Sequence, residues 1–206
     1  MKRLVDIVIS LTALMILSPI FILVAYKVRK NLGSPIFFYQ ERPGKDCKQF
    51  RMIKFRSMKN AFDKDGQPLP DDLRITPFGK KLRSTSLDEM PQLLNVLKGD
   101  MSIVGPRPQL SEFVEHYTAH QLRRHNVKPG MTGLAQVSGR NNLSWEEKFD
   151  LDVQYVEKQS ILLDFKIMFK TVEVMLKKEG IDSPDQAVGA SRFSGSDTTD
   201  TKSTNH

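Results

Sequence analysis

The chain has 206 residues, 39% of them hydrophobic, with a formal net charge of +7 and a pI near 9.5. That length suits one domain with a real core, and the single cysteine, Cys47, excludes an internal disulfide. A basic balance points to nucleic acid, anionic lipid or phosphorylated ligands without choosing among them, and the absence of a P-loop or a G-x-G-x-x-G string disfavours those nucleotide folds.

From Ile7 to Tyr26 twenty residues run without a charge. As a helix that is about 30 Å, the hydrocarbon thickness of a bilayer. A cleaved secretory signal needs a small-residue site after the apolar run, and Tyr26-Lys27-Val28-Arg29-Lys30 is not one. A buried core helix ranks behind a membrane helix, because no charge interrupts either face. Lys2 and Arg3 precede the run, while Lys27, Arg29 and Lys30 follow it, which draws both ends to the cytoplasm. Ser18-Pro19 sits mid-run, where proline removes a backbone donor and kinks a helix. A helix that enters and leaves by one leaflet is therefore preferred modestly over a tilted, kinked span.

Further along, residues 35–58 read as a β-hairpin. Ile36–Tyr39 forms one strand and Phe50–Met58 the other, with Pro43-Gly44 beginning the connection. Residues 60–73 read as an exposed acidic loop. Thr76-Pro77 has the form of an N-cap with proline at the first helical position, predicting a short helix through Arg83. A second helix is predicted from Ser86–Glu89 to a stop at Gly99. Residues 111–125 look helical and polar, and 128–140 glycine-rich and irregular. Ser144 with Glu147 forms a capping box opening a helix through Val156, with Trp145, Phe149, Val153 and Val156 on one face. The last helix, 161–178, carries Leu162, Phe165, Phe169, Val172 and Leu176 as an apolar stripe beside Lys166, Lys170, Lys177 and Lys178. Such a stripe covers the core or lies in a membrane interface. The fold class is α+β, mostly helical. Residues 1–30 form the membrane-associated helix, 31–193 the cytosolic domain, and 194–206, rich in Ser, Thr and Asp, a disordered tail.

Chemistry concentrates at Asp88-Glu89. Acidic pairs favour helix starts for reasons of the macrodipole alone, so the pair by itself is a weak signal. With Ser86 as cap, Pro91 would lose a helical hydrogen bond; with Asp88 as cap, Pro91 falls in the first turn, where none is lost. Either way the positive helix end is expected to keep both carboxylates ionised, as a nucleophile or a Mg²⁺ ligand requires. Lys54 and Arg56 alternate on one strand face, Arg83 lies five residues before Asp88, Arg107 sits in the rigid Gly105-Pro106-Arg107-Pro108 turn, and Arg140 follows a glycine-rich loop. Each alone reads as a surface charge; together they would form a pyrophosphate cradle. His116 and His120 have zinc-compatible spacing but no supporting ligands, and read as surface histidines.

Several strings then resemble the bacterial sugar transferase family, the small monotopic phosphoglycosyl transferases. They are Lys54-Phe55-Arg56-Ser57-Met58, Ser86-Leu87-Asp88-Glu89-Met90-Pro91-Gln92-Leu93, Asn95-Val96-Leu97-Lys98-Gly99-Asp100-Met101-Ser102 and Val104-Gly105-Pro106-Arg107-Pro108. Lys128–Gly133, Gly139-Arg140, Asp152 and Tyr155 continue the match, which runs from about residue 1 to 180. Leu134 and Ser138 stand where the family usually has Trp and Asn. The resemblance implies a re-entrant helix broken at Ser18-Pro19, an Asp88 nucleophile assisted by Glu89, and Mg²⁺ held by both. It implies substrate contacts at Lys54, Arg56, Arg83, Pro106, Arg107, Arg140 and Asp152, a UDP-sugar donor and a polyprenyl phosphate acceptor. It places the catalytic domain on the cytoplasmic face of the bacterial inner membrane. A nucleic-acid partner is not expected, since it gives no reason for Ile7–Tyr26. A homodimer is compatible with the sequence but not argued by it. The rivals are a non-catalytic scaffold, a nucleic-acid-binding protein, and an inverting glycosyltransferase that releases UDP instead of UMP.

Overall fold

The computed structural model describes residues 1–139 and 142–177. Arg140 and the expected tail 194–206 lie outside the described residues. A helix of 31 residues opens the chain, α1 (Lys2–Leu32), about 46 Å long. It is uninterrupted through Pro19, so Ser18-Pro19 does not end it. The reason is local: Pro19 has no N–H for the Met15 carbonyl four residues back, and the Ser18 hydroxyl donates to that carbonyl at 2.9 Å instead.

One stripe of α1 rests on the rest of the molecule. Asp6, Ser10, Val24 and Val28 are buried, and Leu17 and Phe21 pack against the same core cluster as Val24 and Val28. Successive members of that stripe lie three, four or seven residues apart, one face of a helix. The opposite face, including Leu11, Met15, Ile16, Ile20 and Leu23, is apolar and exposed. Both ends are fastened. At the start, Lys2 donates to Asp164 Oδ2 at 2.6 Å, and Asp6 accepts from the Ser102 hydroxyl and the Ile103 N–H. Arg3 donates to the Val96 and Leu97 carbonyls at the end of α4 (Gln92–Lys98). At the finish, Arg56 donates to the Leu32 and Ser34 carbonyls.

The hairpin is β1 (Phe37–Pro43) and β2 (Gln49–Phe55), antiparallel, with Phe38 opposite Lys54 and Arg42 opposite Phe50. The first strand therefore runs four residues past its predicted end and the second stops three short. The buried Asn95 of α4 bonds β2: its amide donates to the Arg51 carbonyl and its oxygen accepts from the Ile53 N–H. The acidic loop contains one turn of helix, α2 (Asp71–Arg74), before α3 (Pro77–Ser84), which Thr76 caps as predicted. Gly99 ends α4 with φ 100°, the left-handed geometry expected of it.

Segment 111–125 is a relay of short turns, and Phe113, Gln121 and Arg124 are buried in it. It contains α5 (Ala119–Leu122), held by a Thr118–Gln121 capping box. The segment read as irregular contains β4 (Gly130–Thr132), paired in parallel with β3 (Ser102–Val104), and α6 (Leu134–Ser138). Three-residue strands carry no readable alternation. The glycines are explained by contact: a Cβ on Gly130 would lie 2.1 Å from the Gly105 nitrogen.

The Ser144–Glu147 capping box opens α7 (Trp145–Lys158) as predicted. The last helix, α8 (Ile161–Lys177), meets the core through Asp164 and Ile167, while Leu162, Phe165, Phe169, Val172 and Leu176 face outward, Leu162 at 81% exposure. Of the two expectations for that stripe, covering the core is not what it does.

Candidate active site

Asp88 and Glu89 stand in a 3-10 turn, Leu87–Glu89, entered through Ser86 at φ 55°. The following helix starts only at Gln92, with Pro91 as its cap residue. Neither Ser86 nor Asp88 caps it by a side chain, so neither expected arrangement holds. The proline is accommodated by an intervening turn.

The two carboxylates have opposite environments. Glu89 Oε1 accepts from Lys54 Nζ at 2.7 Å and Arg107 Nη2 at 2.6 Å, and Oε2 from Arg107 Nη1 at 3.3 Å. Burial alone would raise its pKa, but Arg107 and Lys54 override it and hold Glu89 well below the ordinary glutamate range. Asp88 is 7% exposed and takes no hydrogen bond from the described residues. Burial first, and Glu89 second, push its pKa up to about 6, against the pull of Lys54, Arg83 and Arg107. Both carboxylates are thus ionised at neutral pH as expected, Glu89 by a wide margin and Asp88 by a narrow one. Desolvation outweighs the nearby cations, and the carboxylate titrates close to neutrality, where a nucleophile is useful.

Lys54 and Arg107 reach the pair directly. Arg83 is held by its Nε–H to the Ser57 hydroxyl at 2.9 Å and acts on Asp88 through its charge. Pro106 is buried, and its carbonyl accepts from the Gly130 N–H at 2.9 Å, which fixes the turn that carries Arg107. Two candidates do not join the group. Arg56 is buried at the end of α1, on the carbonyls already named. Asp152, 3% exposed, accepts at its Oδ2 from Arg124 Nε at 3.0 Å and Nη2 at 2.6 Å. Arg140 falls outside the described residues.

Arg124 was not foreseen. It is 2% exposed, and besides Asp152 it donates to the Tyr117 hydroxyl at 3.2 Å and to the Arg107 carbonyl at 2.6 Å. It braces the backbone of the residue that grips Glu89. In sequence it is one of several basic residues in a polar stretch, and only its burial distinguishes it.

A cation such as Mg²⁺ takes one or two carboxylate oxygens and completes its shell with phosphate and water. Asp88, whose lone pairs take no hydrogen bond from the described residues, and the adjacent Glu89 fit that role alongside a phosphorylated ligand. No cluster of three or more His, Cys, Asp or Glu occurs among the described residues, which therefore form no all-protein cage.

The sequence model for the bacterial sugar transferase family matches residues 1–178. An uncharacterized sugar transferase, EpsL of Bacillus subtilis, is 50% identical over 95% of this chain and 96% of its own length. The undecaprenyl-phosphate galactose phosphotransferase of Salmonella typhimurium is 41% identical over 87% of this chain. The UDP-glucose:undecaprenyl-phosphate glucose-1-phosphate transferase of Klebsiella pneumoniae is 44% identical over 83% of it. This chain spans 41% and 39% of the lengths of those last two proteins. With a matching family model along nearly the whole chain and a half-identical relative of equal length, the chain belongs to the bacterial sugar transferase family.

Proposed function

We propose that this chain transfers a sugar-1-phosphate from a UDP-sugar to undecaprenyl or a similar polyprenyl phosphate, with release of UMP. The observation that carries the reading is a buried Asp88 that takes no hydrogen bond from the described residues, beside a Glu89 that holds Lys54 and Arg107 in place. The names of the Salmonella and Klebsiella relatives supply the chemical class.

In the first half-reaction an Asp88 carboxylate oxygen forms a bond to the β-phosphorus of the donor. The bond from that phosphorus to the bridging oxygen breaks, and its electron pair leaves with UMP. Phosphoryl transfer needs positioning and charge neutralisation more than proton chemistry, and Lys54, Arg83 and Arg107 supply both. In the second half-reaction an oxygen of the polyprenyl phosphate attacks the same phosphorus and Asp88 leaves as a carboxylate. Glu89 orients Lys54 and Arg107 throughout. Mg²⁺, when bound at Asp88 and Glu89, would neutralise further phosphate charge.

The membrane reading is monotopic, on the cytoplasmic face of the inner membrane. Both ends of α1 rest on one domain, which a span with ends on opposite sides would forbid, and Lys27, Arg29 and Lys30 follow the apolar run. The exposed apolar faces of α1 and α8 suit lipid contact.

The test uses detergent-purified protein with Mg²⁺, polyprenyl phosphate and a panel of UDP-sugars, identifying the nucleotide released. UMP with one sugar, abolished by EDTA, is expected. Release of UDP would move the chain to inverting glycosyl transfer, and no turnover with any sugar would sink the reading.

A further inference from the structure

Arg42 belongs to none of the groups assigned so far. It lies near the end of β1 and opens the turn Arg42-Pro43-Gly44. That turn packs against the turn of Arg107: Pro43 shares a small cavity with Pro106, Arg107 and Pro108, and the Gly44 carbonyl lies 3.0 Å from His125 Nδ1, beside the Arg124 that braces Arg107. Two arginines thus leave neighbouring turns, and the charges of Arg107 and Glu89 both act on Arg42.

The Arg42 guanidinium makes one hydrogen bond among the described residues, Nη2 to Gln40 Oε1 at 2.7 Å. Its Nε is buried without a partner. The carboxylates that act on it, Glu89 and Glu112, leave that donor unbonded, and Glu89 is already committed to Lys54 and Arg107. A buried bare donor and the like charge of Arg107 are both unfavourable, and an anion on the outward N–H groups relieves the second. Phosphate suits the position, because its oxygens accept from several guanidinium N–H groups at once.

We infer that Arg42 is a donor-binding residue that shares a phosphate oxygen of the nucleotide diphosphate with Arg107. The inference rests on the UDP-sugar reading above and adds a contact to it. Arg42 Nη1 makes no hydrogen bond among the described residues and is not one of the buried bare donors, so it can take a phosphate on arrival, while Lys54 and Arg107 already donate to Glu89.

The test titrates UDP, with Mg²⁺, into the detergent-purified full chain by calorimetry. Arg42→Gln is expected to weaken UDP binding about tenfold, and Arg42→Lys by less. Inorganic pyrophosphate is expected to raise the Tm of the wild type and not of Arg42→Gln. Gln40→Glu gives Arg42 a resident ion-pair partner, so it is expected to keep or raise the Tm while weakening UDP binding. A merely structural Arg42 predicts unchanged UDP affinity in Gln40→Glu, and that result overturns the inference even if Arg42→Gln does not fold. Wild-type affinity in both Arg42→Gln and Gln40→Glu, with UDP binding intact in the parent, overturns the inference alone. Failure of the parent to bind UDP overturns the donor reading along with it.

Discussion

The raised pKa of Asp88 ties stability to pH, and the dependence has a sign. Its pKa is raised to about 6 in the folded chain, so the folded state holds the proton more tightly than the unfolded state. Stability from that proton is complete below about pH 4, the ordinary aspartate value, and is lost as pH rises through about 6. Asp88→Asn is therefore expected to raise stability by about 3 kcal/mol at pH 8 and by little at pH 4, while abolishing UMP release. Thermal melts at the two pH values check this; equal gains at both would contradict it. In the active protein, kcat/KM for the donor is expected to fall about tenfold per unit below pH 6, because the protonated acid is no nucleophile. A profile flat to pH 5 would detach Asp88 from the chemistry. The Asp-Glu pair and its cations were legible because each sits in a recognisable string. The direction of the Asp88 shift was not, because it depends on burial that local sequence does not report.

Among the elements, the turn at 105–108 and helix α7 meet through Arg124 and Asp152. Removing one member of a buried ion pair strands the other, which costs about 3–5 kcal/mol. Arg124→Met is expected to lower the Tm by about 10 °C, and the fluorescence of Trp145, which packs on Phe113 and Phe149, reports the transition. Asp152→Asn keeps an acceptor for Arg124 and is expected to lose less. A variant Arg124→Met that melts like the parent would remove the brace from the account. Asp152 itself was read as a substrate contact because it falls in a family segment; its partner lies 28 residues away on an unremarkable basic stretch. Capping motifs were local and proved readable, at Thr76, Ser144 and Gly99. The pairing of β3 with β4 was not, since three-residue strands have no period. The apolar stripe of α8 was visible, but amphipathicity alone does not say which face meets protein, and here Asp164 and Ile167 do.

For the whole molecule, α1 is part of the fold and not an appendage. Asp6→Ala would leave the Ser102 hydroxyl and the Ile103 N–H with one partner fewer inside the protein, at a cost of about 1–3 kcal/mol. The expected result is earlier proteolysis near the N-terminus in detergent, with the domain otherwise intact; protection equal to the parent would show that the seat carries no weight. The hydropathy of α1 was plain in the sequence, but the seat was not, because an aspartate at the edge of an apolar run looks like a flank. The fastening of Lys2 to Asp164 also has a consequence in time. These residues are 162 positions apart, and at roughly 5–20 residues per second a ribosome makes the second about 8–30 s after the first. For that interval the most apolar helix of the chain exists without the last part of the surface it finally rests on. Something else must shelter it meanwhile, and the order of synthesis thus sets the order of assembly: bilayer or chaperone first, its own domain last.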